Sequence, residues 1–138
     1  MRVSQDTFSG GFVIRAYAPG SITIVSMSVI DGDDAESAET ASETLSRSCA
    51  LSSEQLLRDW PPQSFTDLSH EHFSALLALE PELVLFGSGE VFRFPAPELT
   101  AALSARGIGV EAMDTGAACR TFNVLAAEGR RVVAALLI

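Results

Sequence analysis

The chain has 138 residues, of which 47% are apolar and 20% charged, a balance typical of one globular domain. Its net charge is −9, and its nine cationic side chains are arginines scattered along the sequence. Nucleic acids and anionic membranes attract clustered positive charge, so this composition argues against both as partners. The two cysteines, Cys49 and Cys119, are too few for a disulfide framework and match no zinc-binding spacing.

The sequence carries no apolar run of about 18 residues, so it predicts no membrane insertion. Residues 1–11 are polar and lack the apolar centre of a signal peptide. We therefore expect a cytoplasmic protein that forms a single domain over residues 1–138.

The first predicted elements are two strands, residues 12–17 and 22–29, joined by a turn at Pro19-Gly20. Apolar and polar side chains alternate along both segments, which predicts a β-hairpin. This hairpin should either extend the main sheet in antiparallel order or pack on it as a second, smaller sheet.

Residues 31–43 contain six acids and almost no bulky apolar side chain, so we predict a solvated, flexible loop. A calcium-binding loop is the alternative, but glycine is second and Ser42 twelfth, where an EF-hand needs glycine sixth and glutamate twelfth. Residues 44–51 are predicted to form a further strand. Trp60, which precedes two prolines, is predicted to anchor the packing of this region.

The second half of the chain alternates between strands and helices. Apolar patterns predict strands at 83–86, 108–113 and 131–138. Caps and terminating glycines or prolines predict helices at 70–80, 97–106 and 115–128. Strands separated by helices of this length imply right-handed crossovers, so we predict an α/β protein with a C-terminal parallel βαβαβ unit.

The string Ser69-His70-Glu71-His72 suggests a metal site at first sight. Residues two apart on a helix point about 200° away from each other, so both histidines cannot bind one ion from a regular helix. We favour two surface histidines and predict no metal site.

The segment Gly87-Ser88-Gly89-Glu90 follows a predicted strand, where glycine lets a ligand approach the backbone. It does not fit a P-loop, which needs a lysine, or a dinucleotide fingerprint, because Phe92 stands where the third glycine belongs. A G-x-S-x-G nucleophile elbow is also missing. A simple turn is the preferred interpretation, and no cofactor is predicted.

The start of the last helix is the best candidate for a ligand site. Parallel strands would place it beside the 87–90 turn, at the edge where open α/β sheets bind ligands. Its backbone N–H groups would favour an anion. The candidate pocket comprises Gly87, Ser88, Gly89, Asp114, Thr115, Gly116, Arg120 and Asn123.

No residue of this pocket is predicted to be catalytic. Cys119 falls on the same arc of the helix as Phe122 and Leu125, which should face the core. Asp114 stands where a helix N-cap is expected, and we prefer that role to an acid catalyst.

The run PELVLFGSGEVFRFPAPELTAALSARGIGVEAMDTGAACRTFNVLAAEGRRVVAALLI, residues 81–138, resembles the Mth938-like domain family. Residues 14–24 and the Asp59-Trp60-Pro61 stretch fit the same family. The resemblance implies a three-layer α/β fold, with helices on one side of a mixed sheet and a smaller N-terminal β layer. Its bacterial and archaeal members are mostly of unknown function, and its relatives include a mitochondrial assembly factor for respiratory complex I.

Two functional hypotheses remain open. The preferred one is a non-catalytic interaction or assembly domain that binds a protein partner, as the resemblance and the missing catalytic motif suggest. The alternative is a small-molecule or anion-binding protein, or an enzyme, that uses a crevice at residues 87–90 and 114–123. A concave pocket would favour the alternative, whereas an exposed apolar patch would favour the interaction domain.

Overall fold

The computed structural model describes residues 5–7, 11–29 and 38–138. Its strands are β1 (Gln5–Thr7), β2 (Phe12–Ala18), β3 (Ser21–Val29), β4 (Ala38–Leu45), β5 (Cys49–Leu51), β6 (Gln55–Leu57), β7 (Leu83–Gly87), β8 (Gly109–Met113) and β9 (Val132–Leu136). They form a six-stranded sheet in the order β1-β6-β5-β9-β7-β8 and a three-stranded sheet in the order β2-β3-β4.

In the part of the chain that the structure describes, three α-helices connect or cover these strands. They are α1 (His70–Ser74), α2 (Ala101–Ser104) and α3 (Thr115–Ala127). Short 3-10 segments lie at Phe65–Asp67, directly after α1 at Ala75–Leu79, and directly before α2 at Pro97–Thr100. The α3 helix is the longest of these elements, and its N-cap is Asp114.

The C-terminal βαβαβ unit is confirmed. Strand β7 pairs in parallel with β8 on one side and with β9 on the other. Val84 lies opposite Val110 in one pair and opposite Val133 in the other, so the three strands run in register. The carboxyl ends of all three strands therefore meet at one edge of the sheet.

Two apolar cores lie on opposite faces of the six-stranded sheet. The first core packs β2 and β3 of the small sheet, together with α3, onto one face. The second core packs α1, α2 and Trp60 onto the other face. Alternate residues of β9 enter alternate cores, since Ala134 belongs to the first and Ala135 to the second. The three-layer α/β fold is thus confirmed, although α3 shares its layer with the small sheet.

The hairpin of β2 and β3 is confirmed, and it belongs to a second small sheet. The predicted flexible loop over 31–43 is wrong for residues 38–43, which form most of β4, while 31–37 lie outside the described residues. Strand β4 pairs with β3 in antiparallel order along its whole length, from Val29↔Ala38 to Ile22↔Leu45. Thr40, Ala41 and Ser42 are exposed, so these small side chains need no apolar partners.

The single strand predicted over 44–51 is also wrong, because β4 ends at Leu45 and β5 begins at Cys49 in the other sheet. The predicted helices over 70–80 and 97–106 exist in place but contain 3-10 turns. Glu80 caps the end of the 3-10 segment in a left-handed conformation with a φ of 53°, and Pro81 follows it.

Trp60 is the packing anchor that the sequence predicted. It is fully buried in the second core, and its indole Nε1–H donates a hydrogen bond of 2.9 Å to the carbonyl oxygen of His72. Its ring meets those of Phe73 and Phe86 edge-on, at centroid distances of 5.9 and 6.4 Å. This side chain therefore helps to hold α1 against the six-stranded sheet.

Candidate functional site

The turns that follow β7 and β8 lie side by side, as the parallel strand order predicted. The Ser88 N–H donates to the carbonyl oxygen of Met113 at 2.9 Å. Gly89 and Thr115 exchange two hydrogen bonds, from the Gly89 N–H to Thr115 Oγ1 at 2.8 Å and from the Thr115 N–H to the Gly89 oxygen at 2.9 Å. Direct hydrogen bonds therefore join the two turns at the place where a crevice was expected.

Close packing fills the remaining space beneath these turns. The Thr115 side chain is fully buried, and its hydroxyl donates to the Leu137 oxygen at 2.6 Å. A Cβ atom on Gly87 would lie 2.9 Å from Leu136 Cδ2 and 2.9 Å from Thr115 Oγ1. Glycine at position 87 thus allows α3 and β9 to approach β7, rather than a ligand.

Ser88 and Asp114 also use their side chains internally. The Ser88 Oγ lies 2.8 Å from the Val91 oxygen and 3.1 Å from the Met113 oxygen, and it accepts the Arg93 N–H at 3.0 Å. Asp114 Oδ1 accepts the Ala117 N–H at 2.9 Å, which confirms its role as the N-cap of α3. Both residues shape the turns through these hydrogen bonds.

The other three predicted pocket residues, Gly116, Arg120 and Asn123, face β2 instead. They line a small depression of about 210 Å³ between α3 and β2. Arg15 and Tyr17 of β2 line its other side. Both arginines are exposed, and neither forms a salt bridge with any part of the chain that the structure describes. The eight predicted residues therefore divide between a packed pair of turns and an open depression.

Asn123 fastens the two walls of this depression to each other. Its Oδ1 accepts the Ile14 N–H at 2.9 Å, and its Nδ2 donates to the Ile14 oxygen at 2.6 Å. The ring of Tyr17 packs on the helix at Gly116, where an added Cβ would lie 3.1 Å from Tyr17 Cδ1. A ligand in the depression would meet the two guanidinium groups and the Tyr17 side chain.

Neither Cys119 nor Tyr17, which line the depression, forms a reactive anion at neutral pH. Burial raises the pKa of Cys119 to about 11, although the neighbouring Arg120 acts to lower it. Partial burial, followed by the charges of Glu90, Cys119 and Asp114, raises the pKa of Tyr17. The thiol and the phenol therefore stay protonated, and Cys119 is a core residue with 4% of its surface exposed, as its place on the helix predicted.

The two histidines have separate environments. His72 Nδ1 accepts the Ser69 N–H at 3.1 Å, and its ring lies edge-on to Trp60 with a centroid distance of 6.5 Å. His70, the first residue of α1, is exposed. Over the described ranges, no cluster of three or more histidine, cysteine, aspartate or glutamate side chains could hold a metal ion.

Three of the five large apolar side chains that are exposed among the described residues lie close together in the chain, and no pattern in the sequence singled them out. Val91, Phe92 and Phe94 are 59%, 48% and 72% exposed, and together they form the aromatic rim. The two phenyl rings meet edge-on at 4.7 Å between centroids. Arg93 lies between these two phenylalanines in the sequence, and its guanidinium carbon is 5.5 Å from the centroid of the Phe65 ring. A signal was present, since these apolar residues stand between Gly89 and Pro95 and were assigned to no helix or strand.

Residues 14–137 match the family described as "Protein of unknown function (DUF498/DUF598)", and the chain belongs to this family. A curated relative, NADH dehydrogenase [ubiquinone] 1 alpha subcomplex assembly factor 3 of Bos taurus, is 41% identical over 91 residues. The match covers 64% of this chain and 49% of that protein. The chain thus spans about half the length of the curated relative it matches.

Solved structures share the fold along almost the whole chain. A crystal structure of a Bordetella parapertussis protein is 35% identical, with a TM-score of 0.76 that covers 94% of this chain and 97% of the other. A Bordetella pertussis protein described as a Mth938-like domain is 29% identical, with a TM-score of 0.70 over 99% and 92%. The predicted Mth938-like family is thereby confirmed.

None of the helices in the described ranges has both the length and the apolar character that a bilayer crossing requires.

Proposed function

We propose that this chain is a non-catalytic interaction domain that binds a protein partner during assembly of a larger complex. It works as a single domain over residues 1–138, in the cytoplasm. The observation that carries this proposal is the aromatic rim, because exposed aromatic side chains grouped on one surface are enriched where proteins bind each other. The relatives named as assembly factors support the same role.

The loop that bears the rim is held in place before any partner arrives. The Ser88 hydroxyl contacts the backbone of Val91 and Arg93, and the Arg93 side chain lies over Phe65. A loop fixed in this way loses little conformational entropy on binding, which strengthens binding without additional contacts. The rim therefore suits a specific protein interface.

A double substitution, Phe92→Ser with Phe94→Ser, tests this proposal. The full-length wild type and the variant are each used to isolate bound proteins from cells that produce the chain naturally. A recovered partner is then purified, and its affinity is measured by titration calorimetry. We expect a partner that binds the variant about tenfold more weakly or worse, because aromatic side chains dominate interface energies.

Val124→Ser is the matched control. Val124 is 58% exposed on α3 and lies outside the rim, so this variant should bind the partner as the wild type does. Equal affinity of the wild type and the double variant, or recovery of no protein above background, would contradict the interaction function.

The depression between α3 and β2 favours a second candidate function, the binding of a small anion. Two arginines without ionic partners in the described chain, Arg15 and Arg120, line a space of about 210 Å³ beside Tyr17. Guanidinium groups bind carboxylate and phosphate through paired hydrogen bonds. In this candidate, Gly87, Ser88, Gly89, Asp114 and Thr115 position α3, whereas Gly116 and Asn123 shape the space.

Inorganic phosphate and citrate, each titrated into ¹⁵N-labelled protein, test the anion site. Saturable shifts of the Gly116 and Arg120 amide signals are expected, and Arg120→Gln should abolish them. Arg106→Gln removes an exposed arginine elsewhere and should leave them unchanged. Unsaturable shifts, or equal shifts in both variants, would exclude an anion site here.

A further inference from the structure

Strand β8 forms one edge of the six-stranded sheet. It pairs with β7 on one side, and no strand among the described residues pairs with the other. Gly109 and Glu111 of this strand are exposed. An open strand edge of this kind is a template for pairing with another extended chain.

The backbone of β8 presents hydrogen-bonding groups along this open side. The Met113 carbonyl oxygen accepts the Ser88 N–H, so it points towards β7. Successive residues of a strand direct their backbone groups to opposite sides. Val110 and Ala112 therefore direct their N–H and C=O groups away from β7, where an added strand would meet them.

The side chains of β8 define what kind of strand fits. Val110 and Ala112 are half-buried and pack against the second core. Glu111, at the middle of the strand, points to the opposite face and is exposed. The edge thus combines an apolar face with a single carboxylate at its centre.

A second copy of this chain is a poor occupant of the edge. If the β8 strands of two copies paired in antiparallel order over their whole length, the two Glu111 carboxylates would lie directly opposite each other. Like charges in that arrangement destabilise a strand pair. Two chains of net charge −9 also repel each other. An extended segment with a basic side chain opposite Glu111 would instead form a favourable cross-strand pair.

The aromatic rim lies at the carboxyl end of the same strand. The Ser88 hydroxyl oxygen lies within 2.8 Å of the Val91 oxygen and within 3.1 Å of the Met113 oxygen, so the rim is attached where β8 ends. A segment lying along β8 would continue towards Val91, Phe92 and Phe94. The open edge and the rim are thus neighbouring parts of one surface.

We infer that the open edge of β8 binds an extended segment of a partner protein as an added strand, with a lysine or arginine of that segment opposite Glu111. This inference rests on the proposed interaction function and names the chemistry of the partner. The backbone groups of Val110 and Ala112 supply the strand pairing, and Glu111 selects a cationic segment.

Two end-blocked peptides, Thr-Thr-Val-Lys-Val-Thr-Thr and Thr-Thr-Val-Glu-Val-Thr-Thr, are the probes. Each is titrated into full-length ¹⁵N-labelled protein, and the amide signals of β8 are followed. We expect saturable shifts of the Val110 and Ala112 amides, with the lysine peptide binding about fivefold more tightly than the glutamate peptide. In Glu111→Lys, this preference should reverse.

Glu128→Lys is the matched control, because it makes the same change of net charge at an exposed position at the end of α3. It should keep the preference of the wild type for the lysine peptide. Thermal unfolding of each variant verifies that it folds.

Three results would each overturn the inference: no saturable shift on β8, equal binding of both peptides, or the same change of preference in Glu128→Lys as in Glu111→Lys. The proposed function stands or falls separately, because it depends on the partner that Phe92→Ser with Phe94→Ser loses. A partner that requires the rim while neither peptide binds β8 would leave the interaction function intact and remove only the edge inference.

Discussion

The turns at Gly87–Gly89 and the aromatic rim lie only a few residues apart, yet they differ in residue type, in exposure and in whether their side chains already have partners within the protein. The turns contain glycines, a serine and a neighbouring threonine, which are the residues that ligand sites commonly use. Their hydroxyl groups are already engaged within the protein, and Thr115 is fully buried. The rim contains three apolar side chains, and all three are exposed.

This difference shows that glycine and hydroxyl residues after a strand have two possible uses. They admit a ligand when their hydrogen-bonding groups remain free, and they admit a neighbouring element when those groups are taken. Gly87 belongs to the second case, because Thr115 and Leu136 occupy the space of its missing side chain. The free energy of folding should therefore depend strongly on the turns and weakly on the rim.

Among substitutions in the turns and the rim, the largest effect is expected for Gly87→Ala. The new Cβ would approach Thr115 Oγ1 and Leu136 Cδ2 to 2.9 Å and the Thr115 Cα to 3.1 Å, closer than packed atoms allow. We expect a loss of about 3 kcal/mol in the free energy of unfolding, as for an overpacked core. Urea denaturation followed by circular dichroism measures it.

Gly109→Ala controls for the general effect of replacing a strand glycine. An added Cβ there would lie 3.5 Å from Leu83 Cδ1, an ordinary contact. This variant should be as stable as the wild type or slightly more stable. If the two variants lost equal stability, the close packing at Gly87 would not be the reason for that glycine.

A smaller loss is expected for Thr115→Val, which keeps the shape of the side chain and removes the hydroxyl. The Leu137 carbonyl oxygen and the Gly89 N–H each lose a partner. Unpaired buried groups should lower the free energy of unfolding by about 2 kcal/mol. Thr23→Val removes an exposed hydroxyl that lies 3.2 Å from Thr44 Oγ1, and it should change stability little. If Thr115→Val were as stable as the wild type, these two hydrogen bonds would contribute no net stability.

The C-terminal half of the fold could be predicted from the sequence because its signals are local. Asp114 caps α3, and Gly129 with a φ of 82° follows its end. Strands β7 and β9 are continuous apolar runs, which a sheet covered on both faces requires. These features fix each element without reference to distant residues.

Strand β4 could not be predicted in the same way, because its partner defines it. Its residues Thr40 to Ser42 are exposed and would suit a loop, and pairing with β3 makes them a strand. An ion pair between Glu43 and Arg58, with Arg58 Nε 3.0 Å from Glu43 Oε1, uses one of the acids that suggested a loop. The polar composition of such a segment indicates that it is exposed to solvent, but it does not indicate whether the segment pairs with another strand.

The position of the two turns could be predicted from the sequence, but the close packing of their side chains could not. The strand order placed the 87–89 and 114–116 turns at one edge, as the structure shows. Whether their polar groups would be satisfied internally depended on atomic distances between α3, β7 and β9. The exposed position of the Val91–Phe94 segment depends on tertiary contacts, such as those of the Ser88 hydroxyl with the backbone of Val91 and Arg93, which local patterns do not indicate.

Among substitutions in the turns and the rim, the smallest effect on stability is expected for Phe92→Ser with Phe94→Ser, the variant that should bind the partner about tenfold more weakly or worse. These rings contact each other at the surface, so their loss should lower the free energy of unfolding by about 1 kcal/mol, the size of one aromatic pair. Phe86→Ala, in contrast, removes a fully buried ring of the second core and should lose about 4 kcal/mol in the same denaturation measurement. If the double variant lost as much as Phe86→Ala, the rim would be part of the packed fold, and its exposure could no longer be assigned to a partner.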